Sequence, residues 1–173
     1  RVSTGSLPPA RAAEELVREA YERYRHVSDG EVATYIPRLA EASPDACAVS
    51  VVSVAGRSFE TGDVAQTFSI QSVSKPFVLA LVCDALGPDE VRTLLGVNAT
   101  GLHFDSVMAV ELNSERTMNP MVNAGAIATT SLAKRLAPEA PWGFVIDGLS
   151  RFAGRALTVD GEVYECESRT NRR

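Results

Sequence analysis

Ser72 and Lys75, inside the stretch "FSIQSVSKPF" (Phe68–Phe77), place a hydroxyl three residues ahead of an amine. That pair is the minimum for a serine nucleophile activated by a neutral lysine. On a helix, residues three apart share a face with their Cβ atoms roughly 5–6 Å apart, so the amine reaches the hydroxyl. The spacing alone is a weak signal, and the chain contains its own control, because Ser131-Leu132-Ala133-Lys134 repeats it with the only other lysine. That serine falls in the body of a predicted helix, where a hydroxyl bonds back to a carbonyl one turn earlier and the lysine reaches into water.

Ser72 differs because an apolar run read as a strand gives way there to a helix. Free N–H groups and the positive end of the macrodipole at a helix start can hold an oxyanion, here through the serine's own amide. Lys75 faces the same positive end, and Phe68, Ile70, Phe77 and Val78 are expected to supply apolar surroundings. Both effects disfavour the ammonium and lower the pKa, which suits a base. The competing role for Ser72 is a simple helix cap. A second polar group is "MNPMVNAGAIATTS" (Met118–Ser131). Asn123 opens a helix of small residues, so its amide can face a pocket while the backbone behind packs tightly; alternatively the asparagines around Pro120 are a turn and a cap.

The elements that must position these groups are legible in the pattern. With 173 residues and 45% hydrophobic content the chain can bury the core of one ordinary domain. A net charge of −5 without a basic block argues against nucleic acid as a partner. Cys47, Cys83 and Cys166 are read as reduced core thiols, and His26 and His103 are too few for a metal site, so a reaction without metal or cofactor is expected. No stretch has the roughly 20 apolar residues of a membrane span and no signal pattern stands at the start, which points to the cytoplasm. After Leu7-Pro8-Pro9, apolar residues at Leu16, Val17, Ala20, Tyr21 and Tyr24 predict a helix, and "GEVATYIPRLAEASPD" a loop. Residues 46–56 and 57–63 read as an antiparallel hairpin. Helices follow from Ser72 to Gly87, Asp89 to Leu95, Asn123 to Leu136 and Pro141 to Ala153, with a turn at Asp160-Gly161. The polar end "ESRTNRR" suggests a portion of a longer protein.

"FSIQSVSKPF" followed some fifty residues later by "NPMVNAGA", with "GEVATYIPRLA" upstream and "VYECES" downstream, resembles the serine-dependent glutaminases, whose catalytic domain has the β-lactamase and penicillin-binding-protein type of fold. The resemblance implies an α+β fold, an antiparallel sheet packed with helices plus a helical subdomain, of which residues 1–173 are the N-terminal part. It implies hydrolysis of L-glutamine to L-glutamate and ammonia through a Ser72 acyl-enzyme with Lys75 as general base. By matching position Tyr35 stands beside the nucleophile, Gln71 lines the pocket, and Asn123 and Glu167 hold the amino-acid end of the substrate. Without the family, Tyr35 is a packed loop anchor, and Gln71 and Glu167 are ordinary surface residues. In the family an asparagine, two tyrosines and one oxyanion-hole amide come from later segments, so this portion alone is expected to be weak or inactive, and members are usually homo-oligomers. The rival readings are a β-lactamase or penicillin-binding protein, for which the Ser-Asp-Asn triplet is missing between the two motifs, and a non-catalytic binding module on the same fold.

Overall fold

Helix α1 (Ala10–Tyr24) forms directly after Pro9 and turns Val17 inward, while Leu16 and Tyr24 stay exposed. It belongs to a computed structural model that describes residues 9–99, 101–111 and 119–170. Leu7 and Pro8, Met118 at the head of the second motif, and the last three residues lie outside the described residues. Two strands follow, β1 (Ala48–Val52) and β2 (Ser58–Gly62), paired antiparallel from Ala48↔Gly62 to Val52↔Ser58. Their connection closes where Gly56 N–H donates to Ser53 O at 2.9 Å and Arg57 N–H to the Ser53 hydroxyl at 3.0 Å. At the other end Gly62 takes a φ of 84°. A Cβ there would run into the Cys47 carbonyl and the Tyr21 ring, so glycine is what lets α1 lie against the hairpin.

The described residues form two compact units. One takes the chain up to Ser69 together with the residues from Asp160 onward: α1, the hairpin, a 3-10 turn at Pro37–Glu41 and α7 (Gly161–Thr170). Ile36 is buried ahead of that turn, and Arg38 bonds Glu41 and reaches Glu162 of α7 at 2.9 Å. Asp160 caps α7 by accepting the Val163 N–H at 3.0 Å, a helix where the sequence indicated only a turn.

The other unit, Ile70 to Val159, is helical: α2 (Ser74–Leu86), α3 (Pro88–Leu95), α4 (Met108–Glu111), α5 (Asn123–Leu136) and α6 (Pro141–Ala153). Helix α2 is apolar on several sides because α3, α5 and α6 all pack on it. Val78 joins Ala133, Val145 and Leu149 in one cluster, and Val82 joins Val91 and Leu95 in a second. Cys83 borders the second cluster; all three cysteines are free and partly buried rather than in the core. The expected strand leading to Ser72 is absent, since β2 ends at Gly62 and the chain from 66 to 70 is irregular. No helix among the described residues is long and apolar enough to cross a membrane.

Candidate active site

Ser72 lies in the 3-10 turn Gln71–Val73, which runs straight into α2. Gln71, immediately before it, has a φ of 46° and is the only non-glycine residue with positive φ among the described residues. A left-handed backbone at a residue with a Cβ costs on the order of 1–2 kcal/mol. The chain thus bends sharply at the residue before Ser72, which is exposed. The capping role does not apply to it. The N-cap of α2 is Val73 and makes no side-chain cap bond, while the hydroxyl that bonds locally belongs to Ser74, donating to Gln71 O at 2.7 Å. Among the described residues no hydrogen bond engages the Ser72 hydroxyl.

Lys75, second residue of α2, is half-buried. Its amine donates to Asn123 Oδ1 at 2.7 Å and to Met121 O at 3.2 Å. A neutral amine has two N–H groups and a lone pair, an ammonium three N–H groups and none. The two carbonyl oxygens therefore satisfy the donors of the neutral form and leave its lone pair uncommitted. Burial pushes the Lys75 pKa below the ordinary lysine value. No carboxylate forms an ion pair with it among the described residues. The expected direction holds; of the residues expected around the amine, Phe68 is 87% and Ile70 37% exposed, Phe77 packs at a tilt against Phe152 with ring centroids 5.2 Å apart, and Val78 lies in the core. The ring beside the amine is Phe104, 6.0 Å from Nζ to its centroid.

The partner side of the site is built at the start of α5. Asn123 is not a cap; its N–H donates to Phe104 O at 2.8 Å and its side-chain oxygen serves Lys75. Asn119 makes the turn instead, accepting the Met121 N–H at 2.7 Å and donating to Asn98 O at 3.1 Å. Gly125 is buried so close to this turn that a Cβ would collide with the Asn119 carbonyl. One turn further, the Thr129 hydroxyl, 1% exposed, donates to Gly125 O at 2.7 Å. These contacts fix where the Asn123 amide and the Met121 carbonyl stand.

The structure thus brings Lys75 and Asn123 together, with Gln71 and Ser72 in the turn just ahead. No hydrogen bond joins Lys75 Nζ to Ser72 Oγ, since the amine is turned toward α5. Catalytic hydrogen bonds are often long without substrate. Tyr35 and Glu167 belong to the first unit. Tyr35 is 67% exposed and is not a packed anchor, a role its neighbour Ile36 fills at 2%; Glu167 is half-buried on α7 and makes no ion pair among the described residues. The control pair behaves as its helix position requires: Ser131 donates back to Ala128 O at 2.7 Å and Lys134 is exposed. Among the described residues no group of three or more His, Cys, Asp or Glu could hold a metal ion. Met121 O and Phe104 were invisible to sequence reasoning, because a backbone carbonyl and a loop aromatic carry no spacing signal.

Residues 30–173 match the family model described as Glutaminase. Glutaminase 2 of Yersinia pestis is 46% identical over 170 residues, covering 98% of this chain and 50% of that protein. The solved structure of the probable glutaminase ybaS superposes with a TM-score of 0.89 at 35% identity, over 95% of this chain and 53% of that one. A probable glutaminase from Bacillus subtilis, complexed with 6-diazo-5-oxo-L-norleucine, shares the fold at a TM-score of 0.70 and 23% identity, over 100% of this chain and 51% of that one. These neighbours have the β-lactamase-like fold, and the chain spans about half the length of the curated relatives it matches.

Proposed function

The chain belongs to the glutaminase family, and on that premise we propose that it carries the nucleophile and base of an amidohydrolase converting L-glutamine and water to L-glutamate and ammonia. The observation that carries this reading is the Lys75 amine, half-buried, without a carboxylate partner among the described residues, and held by two carbonyl oxygens one helical turn from an exposed serine.

Turned back toward Ser72, the neutral amine takes the hydroxyl proton as Oγ attacks the side-chain carbonyl carbon of glutamine. The proton then passes to the amide nitrogen, the C–N bond breaks, and ammonia leaves a glutamyl ester on Ser72. Water attacks that ester with Lys75 again accepting a proton, which passes to Ser72 Oγ as the ester bond breaks and glutamate departs. Asn123 serves both sides: its Oδ1 holds the amine, and its Nδ2, which donates to nothing among the described residues, is left for the substrate. Glu167 is assigned to the substrate ammonium, Tyr35 to a proton relay or substrate contact beside the nucleophile, and Gln71 to the pocket wall, all by family position. A cytoplasmic, self-associating enzyme completes the proposal.

Treatment of the intact protein with 6-diazo-5-oxo-L-norleucine should add one label, on Ser72 in the peptide map, while benzylpenicillin leaves it unmodified. Ammonia release should follow glutamine and not asparagine. Penicillin labelling without diazoketone labelling would instead support the β-lactamase type of chemistry. The pH dependence has a defined sign. Below the Lys75 pKa the base is protonated and silent, so the rate rises with pH and levels off above it. Burial places that limb at lower pH than an exposed lysine would, and kcat/KM against pH reads it.

A further inference from the structure

Among the described residues, Phe104 stands beside the Lys75 amine and has no task in the mechanism above. Its ring centroid lies 6.0 Å from Lys75 Nζ, and its carbonyl accepts the Asn123 N–H at 2.8 Å. Asn123 Oδ1 in turn accepts from the amine at 2.7 Å. One loop residue therefore reaches the base twice, directly through its ring and indirectly through Asn123. Core packing does not account for the position, since Phe104 is 54% exposed and joins neither hydrophobic cluster. The loop around it is braced: Ser106 N–H donates to His103 O at 3.0 Å, the His103 ring sits 4.6 Å from that of Phe104, and His103 bonds Asp105.

We propose that Phe104 is a positioning residue for the general base, its ring keeping water from one side of the Lys75 amine while its carbonyl holds the backbone N–H of Asn123, the residue whose side-chain oxygen orients the amine's N–H groups. The inference rests on the Ser72–Lys75 reading. At 6.0 Å the ring stands at the outer limit of cation–π attraction, so exclusion of water is its larger effect on the charge. Charged groups on α2 and the elements around it do not pair with Lys75. Helix α2 carries Asp84; α3 Asp89, Glu90 and Arg92; α5 Lys134 and Arg135 in its last turn; α6 Asp147 and Arg151; and the loop His103 and Asp105, bonded to each other.

The test follows the Lys75 side chain itself, in the intact protein. Selective 13C-lysine labelling gives side-chain Cε resonances, those of Lys75 and Lys134 being assigned with Lys75→Arg and Lys134→Arg and followed against pH. In Phe104→Ala the Lys75 midpoint should rise toward the ordinary lysine value, in Phe104→Tyr it should stay at the wild-type position, and the Lys134 curve should be the same in every variant. Circular dichroism and melting check that each variant is folded. Should Phe104→Ala fail to fold, Phe104→Val keeps an apolar side chain in the loop, shortens it so that water reaches the amine, and carries an upward shift of the same sign. A midpoint that is unchanged or falls on loss of the ring overturns the proposal. The titration requires no turnover, so its failure would leave Ser72 labelling by the diazoketone intact, and absence of labelling would leave the titration interpretable.

Discussion

Replacing Ser72 or Lys75 by alanine in the intact protein should each lower kcat by roughly 10⁴-fold, equivalent to about 5.5 kcal/mol of lost transition-state stabilisation. The two losses should not add, because nucleophile and base act as one unit. The fold should survive both changes. Ser72 is exposed and caps nothing, and Lys75→Ala removes an amine whose two partners, Asn123 Oδ1 and Met121 O, remain near the protein surface for water to satisfy. Lys134→Ala is the control, since its amine is exposed and the neighbouring Ser131 hydroxyl is already spent on Ala128 O. Steady-state ammonia release together with a melting curve for each variant separates lost chemistry from lost fold. A Lys134 variant as impaired as the Lys75 variant would show that the wrong serine–lysine pair had been chosen.

Gly125→Val should destabilise the protein by about 3 kcal/mol or more, through overpacking against a neighbour that cannot yield. The colliding group is the Asn119 backbone carbonyl, and Asn119 is pinned at both ends of its side chain, by the Met121 N–H and by Asn98 O. A side chain at 125 must therefore push the start of α5 away and carry Asn123 and the Met121 carbonyl off the amine they hold. Gly143→Ala in α6 makes the opposite case. The nearest atom to a new Cβ there is Ala140 Cβ at 3.7 Å, an ordinary contact, so the gain in helix propensity should stabilise by about 0.5–1 kcal/mol. Urea midpoints of the two variants measure both. A Gly125→Val midpoint equal to wild type would mean that the close approach of residues 119 and 125 does not exist in solution.

Residues with strong backbone preferences made much of this architecture readable. Pro141 and Gly154 bracket α6, Pro88 and Gly96 bracket α3, and the hairpin follows Val-rich alternation around Gly56. The apolar residues before Ser72 misled for a physical reason: a strand needs a ladder partner as well as β-formers, and β1 and β2 pair only with each other in a two-stranded sheet among the described residues. Helix α4 lay unrecognised in a stretch rich in turn residues. At the site, Ser72 and Lys75 stand out because they are close in sequence. The bond from Lys75 to Asn123 spans 48 residues and rests on tertiary packing of α2 against α5, which no local pattern encodes. The left-handed backbone at Gln71 was equally hidden, since glutamine has no preference for it.

The way the chain is apportioned between its units bears on its birth at the ribosome. Every residue from Ile70 to Val159 emerges in one uninterrupted stretch, so the helical unit can reach its native packing while synthesis continues. The unit holding the hairpin is completed later: Arg38 waits for Glu162, made more than a hundred residues afterwards, before their ion pair closes. A nascent chain stalled short of α7 would hold the Pro37–Glu41 turn without its helical partner, while Ser72 and Lys75, in the continuous unit, have already been made.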